Sequence, residues 1–108
     1  MQPIGSSILQ HVGYVALPEH KTSGGFDHAA VHAASGQVYV AHTANNAVDV
    51  FDPVSQRLLY SVPHLPGVAG VLVSDEAQLI ITSNRAENTI GLFPRGPAPQ
   101  VSKASMSP

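Results

Sequence analysis

A stretch that occurs twice places the strongest constraint on how this chain can fold. Residues 37–52 read QVYVAHTANNAVDVFD and residues 79–94 read LIITSNRAENTIGLFP, an offset of 42 residues (79 minus 37). We call this spacing the repeat offset; it also aligns residues 24–51 with residues 66–93 without a gap. The identical pairs include Gly25 and Gly67, Val31 and Val73, Asn46 and Asn88, and Phe51 and Phe93. The chain is therefore predicted to contain two copies of one supersecondary unit.

The length of the repeat offset indicates which unit is repeated. A spacing of about 40 to 45 residues is typical of a four-stranded β-propeller blade. We predict an all-β chain made of four-stranded antiparallel β-propeller blades, in a partial propeller. Residues 26–63 would form a complete blade and residues 68–93 a blade with three strands. Two blades are too few to close a ring, which normally has about four to eight.

Both ends of the chain are predicted to lie outside these blades. Residues 1–10 are expected to be a disordered leader, and residues 13–17 an outer strand that Pro18 ends, belonging to a blade whose other strands lie elsewhere. Residues 94–108, PRGPAPQVSKASMSP, read as a disordered tail because they are rich in Pro, Ser and Gly. The second blade would then have no fourth strand and an unpaired edge.

Residues 26–37 permit two readings. Asp27 could cap a helix through the alanine-rich HAAVHAAS, with Gly36 as its stop. The aligned segment from Val68, VAGVLVSDEAQ, contains β-branched residues and a glycine, which favour a strand. Because aligned repeats share one structure, both segments are predicted to be strands.

Composition narrows the class of partner. The net charge is -2 and the five Lys and Arg residues form no cluster, so nucleic acid is not expected as a partner. The absence of cysteine excludes disulfides and thiol chemistry. No apolar run reaches the roughly 20 residues that span a bilayer, and no secretory signal is evident, so no membrane association and a cytoplasmic location are expected. Charged residues are only 11% of the chain, which suits faces that pack on neighbouring blades as well as a weakly charged domain.

Within this frame, residues 31–52, VHAASGQVYVAHTANNAVDVFD, and residues 73–93, VSDEAQLIITSNRAENTIGLF, resemble the YncE-like, YVTN-type β-propeller repeats. The resemblance covers about residues 11–93, and departs from the family pattern at His42, where Asn is usual, and at the turns before the second strands. It implies that the chain is the amino-terminal part of a longer propeller, whose remaining blades would be its partners. The alternative is a homo-oligomeric ring, in which each open edge pairs with the leading strand of the next subunit.

Asp27 and His28 are the first candidates for a site. In a propeller the first strand of each blade lies innermost, so its start faces the central channel. A carboxylate beside an imidazole could ligate a divalent metal or relay a proton. Alternatively, Asp27 could bond a backbone amide while His28 lines a wet channel. His28 and His32 would stand roughly 13 Å apart on a strand, too far to share one ion.

His42, Asn84 and Arg85 are the other candidates for ligand binding. His42 and Asn84 occupy equivalent ends of the second strands, beside loops that could form the rim of a binding face, although stabilising the turns would also explain them. Arg85 could hold an anionic ligand or be solvated surface. Asn46 and Asn88 read as structural residues that cap the turn into the third strand.

Two functions are consistent with these features. The first is a non-catalytic binding or scaffold segment of a YncE-like propeller, with a small molecule as a possible ligand. The alternative is a part of a metal-assisted, lactonase-like hydrolase with its site in the central channel, using Asp27, His28 and Asn84, suggested because architecturally related propellers include such enzymes. A divalent metal would be its cofactor. Serine-hydrolase elbows and phosphate-binding glycine loops are absent from the sequence.

Overall fold

The computed structural model describes residues 9–106, and these form two four-stranded antiparallel sheets. Most of the predicted leader, and the last two residues of the predicted tail, lie outside the described residues. Neither sheet closes on itself, so the architecture is a pair of open sheets. The all-β, four-stranded antiparallel part of the prediction is confirmed. The strands, in chain order, are β1 (Ala29–Val31), β2 (Val38–His42), β3 (Ala47–Asp52), β4 (Arg57–Val62), β5 (Val68–Ser74), β6 (Leu79–Asn84), β7 (Thr89–Pro94) and β8 (Ser102–Ser105).

Tight turns join the second and third strands of each sheet. A 3-10 helix, Thr43–Asn45, follows β2 and ends at Asn46, which adopts left-handed backbone at φ 52°. Asn88 takes the same conformation before β7, at φ 56°. Asparagine tolerates this region better than most residues. The side chain of Asn46 also accepts a hydrogen bond of 2.9 Å from the backbone N–H of Gly67.

Strand pairing follows the same register in both sheets. Tyr39 pairs with Val50 in the first sheet, and their equivalents at the repeat offset, Ile81 and Leu92, pair in the second. The relation extends to the last strand of each sheet, because Val48 pairs with Val62 and the equivalent Ile90 pairs with Ala104. The repeat offset found in residues 24–93 therefore also describes the backbone pairing of β8.

The structure differs from the sequence-based prediction at both ends. Residues 102–105 of the expected disordered tail form β8, so the second sheet has a fourth strand and the predicted free edge of β7 is covered. Backbone pairing requires no apolar side chain, which is why composition did not reveal this strand. Conversely, residues 13–17 form no strand, because none of the described strands pairs with them.

The ambiguous segment before β2 is extended, as the strand reading predicts. Ala29–Val31 is β1, and just before it the backbone N–H of Asp27 donates to the carbonyl of Ala41 at 2.9 Å. The carbonyl of His28 accepts in turn from the backbone N–H of Ala41 at 2.8 Å. The helix reading fails because β1 must pair with β2 and pack its apolar side against the second sheet.

The core lies between the two sheets. One face of the first sheet and one face of the second pack together and exclude water from a shared set of side chains, as two stacked sheets do. The first sheet contributes Tyr39, Ala41, Val48, Val50 and Val62, the connecting segment contributes Leu65, and the second sheet contributes Val68, Val71, Ile80 and Phe93.

Polar contacts tie the sheets together around this core. The Thr43 hydroxyl donates to the carbonyl of Val68 at 2.7 Å. At the opposite end, the guanidinium of Arg95 donates to the Gln37 side chain at 2.9 Å and to the Tyr39 hydroxyl at 3.3 Å. The two sheets are therefore held in one arrangement by directional bonds as well as by apolar packing.

Candidate functional site

The most enclosed polar cluster surrounds His42, at the end of β2. Both His42 and Asp49 of β3 are fully buried, and the histidine Nδ1 lies 2.6 Å from the Asp49 Oδ2. The other carboxylate oxygen accepts a bond of 2.7 Å from the Ser61 hydroxyl of β4. Burial of a carboxylate is tolerated when its oxygens receive hydrogen bonds, and here each oxygen has one.

Residues of the leading segment complete the cluster. The Nδ1 of His20 lies 2.6 Å from the Nε2 of His42, and the ring of Phe26 stacks on His42 with centroids 4.1 Å apart. The same segment is anchored next to this contact, because the Thr22 hydroxyl donates to the carbonyl of Ala44 at 2.6 Å. The cluster thus fastens residues 20–26 to the end of the first sheet.

The hydrogen-bond partners account for both nitrogens of the His42 ring. Asp49 accepts from Nδ1–H of His42, and the Nε2 of His42 is bonded to the Nδ1 of His20. The Ser61 hydroxyl donates its hydrogen bond to Asp49 rather than to an imidazole. A serine nucleophile needs its base within hydrogen-bond reach, so this arrangement is a positioning network and lacks the geometry of a hydrolase triad.

Neutral polar groups occupy the equivalent position in the second sheet. Asn84 replaces His42 and is equally buried; its oxygen accepts from the Thr82 hydroxyl at 3.0 Å, and its amide donates to the Thr89 hydroxyl at 3.1 Å. Gly91 stands where β3 has Asp49, and a Cβ there would come within 2.5 Å of the Thr82 hydroxyl. The side chain of Asn84 is therefore buried, and both its oxygen and its nitrogen are bonded to groups of the second sheet.

Asp27 and His28 lie side by side in the structure, as their sequence positions suggest. The Nδ1 of His28 is 2.7 Å from an oxygen of Asp27, and the His28 side chain is 75% exposed. Within residues 9–106, no group of three or more His, Cys, Asp and Glu side chains could hold a metal ion. A protein metal centre normally draws three or four ligands from the chain. By themselves, Asp27 and His28 supply fewer ligands than such a centre uses.

Arg85 is exposed beside the connection between the sheets. Its backbone N–H donates to the carbonyl of Gly67 at 3.2 Å. The five sequence-predicted residues do not converge: Asp27 and His28 contact each other, His42 belongs to the first sheet's buried cluster, and Asn84 belongs to the second sheet's. Among the described residues, no single pocket collects them.

An open groove of about 340 Å³ runs along the outward face of the second sheet, the face turned away from the first. Its walls are mostly apolar, and His28 stands at its margin. The residues that line it include His28, Leu72, Ile81, Thr82, Ser83 and Ile90.

Three titratable groups outside the buried cluster have shifted pKa values. Burial, followed by the hydrogen bond with Tyr39, raises the pKa of Tyr60 to about 12. Hydrogen bonds from Lys103 and Thr89 lower the pKa of Glu87. The backbone N–H of Val54 is the main cause that lowers the pKa of Asp52. None of the three lies among the sequence-predicted site residues.

Sequence reasoning singled out His42 but missed its partners. Asp49 follows it across a tight turn, and Ser61 lies on the next strand of the sheet. The signal that could have found Asp49 is a carboxylate in the middle of an otherwise apolar strand, AVDVFD, because such a group needs a buried partner. Nothing in the sequence of the leading segment marks His20 as the neighbour of His42.

Comparison with protein-family models, with curated proteins and with solved structures finds no match for this chain. Among the described residues, no helix is long and apolar enough to cross a membrane.

Proposed function

We propose that the chain is a non-catalytic scaffold and binding segment built from two β-propeller-type repeat units of the YncE-like, YVTN-motif kind. The observation that carries this proposal is the common register of the two sheets, in which the pair Ala30 and Tyr39 and the pair Leu72 and Ile81 are equivalent at the repeat offset. Sheets that share register and pack face to face in series are the building principle of a propeller and of repeat proteins in general.

The leading segment supports the same proposal. A cavity beside the first sheet is lined by Lys21, Ser61 and Pro63, and a cavity beside the second is lined by Ser61, Pro63 and Lys103. Lys21 and Pro63 are separated by the repeat offset, as are Ser61 and Lys103 (63 minus 21, and 103 minus 61). Residues 15–20 therefore have the same position relative to the first sheet as β4 has relative to the second sheet. They take the place that the outer strand of a preceding unit would occupy.

A binding role fits the chemistry better than a catalytic one. The buried cluster at His42 uses its polar atoms on one another, and the Asp27–His28 pair offers only two ligands, so the lactonase-like alternative has no assembled machinery among the described residues. The outward faces of the two sheets are the surfaces that the molecule exposes to a partner. Its function would then rest on what packs against, or binds beside, those surfaces.

The test is to insert a further unit. A second copy of residues 24–65, whose length equals the repeat offset, would be placed between Leu65 and Pro66, so that each junction keeps its native register. If the units are modular, the longer chain folds cooperatively, gains β-sheet signal in far-UV circular dichroism, and resists urea at least as well as the parent.

A matched control inserts the same residues in scrambled order at the same place. The scrambled insert should act as a long loop and lower stability. A native-order insert that behaves no better than the scrambled one would reject the repeat-unit proposal.

A further inference from the structure

Equivalent faces of the two sheets differ in how deeply they are buried. On the first sheet, Tyr39, Val48 and Val50 are fully buried beneath the second sheet. Their equivalents at the repeat offset, Ile81, Ile90 and Leu92, are only partly buried. The most exposed apolar side chain on that outward face is Leu72, at 60%. The second sheet thus presents to solvent the same apolar face that the first sheet buries.

The first sheet is uncovered in the complementary way. Its outward face carries Val31, which is 55% exposed, and the half-buried Val38 and Phe51. The equivalents of Val38 and Phe51 on the second sheet are Ile80 and Phe93, both enclosed against the first sheet. Apart from its His42 end, which residues 20–26 cover, the outward face of the first sheet therefore matches one half of the internal interface, and the outward face of the second sheet matches the other half.

Val31 and Leu72 define this relation most simply. Within the chain, Ala30 and Val73 pack against the shared core from opposite sheets. Moving forward from Ala30 by the repeat offset gives Leu72, and moving back from Val73 by the same step gives Val31. The step that carries the first sheet onto the second therefore brings Leu72 of one molecule to Val31 of another.

We propose that two copies of this chain bind head to tail, with the outward face of the second sheet of one copy stacked on the outward face of the first sheet of the next. The interface is heterologous, because different surfaces of the two copies meet. This inference rests on the proposed function, since it takes the spacing of the repeat units as the rule for stacking, and it names the partner as a second copy.

One segment must move to allow this contact. Residues 15–20 precede β4 by the repeat offset, and β8 follows β4 by nearly the same number of residues. When two copies stack at this spacing, residues 15–20 of one copy and β8 of the other would occupy the same position. All four residues of β8 are exposed and none is a large apolar residue. Residues 15–20 include Val15 and Leu17, which are half-buried. β8 therefore gives way, and its backbone amides lose protection when two copies assemble.

The experiment compares charged variants on the two faces. Sedimentation equilibrium of the full chain is measured for the wild type, Leu72→Lys, Val31→Lys and an equimolar mixture of the two variants. The wild type is expected to associate, and each variant alone to weaken association about tenfold or more. The mixture is expected to recover a dimer, because Leu72→Lys keeps an intact first-sheet face and Val31→Lys keeps an intact second-sheet face.

The control is Val54→Lys, at a turn residue that is 90% exposed and lies outside both faces. It should associate as the wild type does. Circular dichroism and thermal melting check that each variant is folded, and Leu72→Gln with Val31→Gln replaces the lysine pair if either of them unfolds. A wild type that stays monomeric at all concentrations, or a mixture that stays monomeric, overturns the proposal.

The failures of the two proposals are distinguishable. If the inserted unit folds but the wild type does not associate, stacking is modular within a chain and the second copy is not the partner. If the native-order insert fails, the rule on which both proposals depend is lost.

Discussion

The Nδ1 of His42 lies 2.6 Å from the Oδ2 of Asp49, and both side chains are sealed from solvent at the end of the first sheet. Ser61, Asp49, His42 and His20, in that order, form one chain of hydrogen bonds from β4 to the leading segment. The anchoring of residues 20–26 therefore depends on a fully buried carboxylate, that of Asp49.

Replacing Asp49 by Ala is expected to destabilise the fold by about 3 kcal/mol, because the buried imidazole of His42 and the half-buried hydroxyl of Ser61 would lose their shared acceptor. Urea unfolding followed by circular dichroism measures the change. Asp52→Ala, at the solvent-facing end of the same strand, is the matched control and should cost far less. Equal losses for the two variants would contradict the role assigned to the buried carboxylate.

Gly67→Ala is expected to destabilise the chain more than Gly36→Ala. Both glycines have positive φ, at 65° and 74°, so alanine is strained at either position. A Cβ at Gly67 would also lie 2.5 Å from the backbone nitrogen of Ala86, whereas a Cβ at Gly36 would meet nothing within 4 Å. We expect a loss of about 1 kcal/mol for Gly36→Ala and at least twice that for Gly67→Ala in urea unfolding. Matching losses would mean that the connection can shift freely.

Alkaline pH is expected to destabilise the fold through Tyr60. Its pKa is raised from an ordinary 10.0 to about 12, so the folded state favours the neutral phenol. The stabilisation is complete below pH 10 and is lost as the pH rises from 10 to 12. The melting temperature should fall over that range, and that of Tyr60→Phe should fall less steeply. A steeper fall for Tyr60→Phe would show that another group is responsible.

Acid is expected to loosen β8 through Glu87. This carboxylate lies 2.9 Å from the Nζ of Lys103 and accepts a bond of 2.7 Å from Thr89, and both contacts lower its pKa. The contribution is present above the ordinary pKa of 4.5 and is lost as the pH falls through the lowered value. Hydrogen exchange should quicken at Lys103 in Glu87→Gln, while the amides of β2 stay unchanged. Unchanged exchange at Lys103 would contradict this tether.

Calcium, magnesium and zinc are each expected to leave the melting temperature of the full chain unchanged, because Asp27 and His28 supply only two ligands. Differential scanning fluorimetry with each ion measures this, and Asp27→Asn is the control. A rise with one ion that Asp27→Asn abolishes would reinstate a metal site and, with it, the lactonase-like alternative.

The repeat offset was sufficient to predict β2, β3, β6 and β7, since each apolar run recurs between turn-forming residues. It also decided β1 correctly against local helix propensity, because pairing with β2 outweighs the preference of alanine. β8 could not be predicted from composition, since SKAS has no strand-forming pattern and is held by the backbone of β7. The surroundings of His42 were harder to predict than the strands. They depend on the turn that brings Asp49 beside His42 and on a leading segment without regular secondary structure.

β8 also has a consequence for aggregation. A strand edge with free backbone groups is a template on which other chains can pair, and β8 covers that edge of β7 with a short, polar segment that carries Lys103. Because all four of its residues are exposed, its removal would cost little apolar burial. Proteolytic trimming of this segment would therefore leave the fold nearly intact while making it prone to form β-linked polymers, so that solubility would be lost before stability.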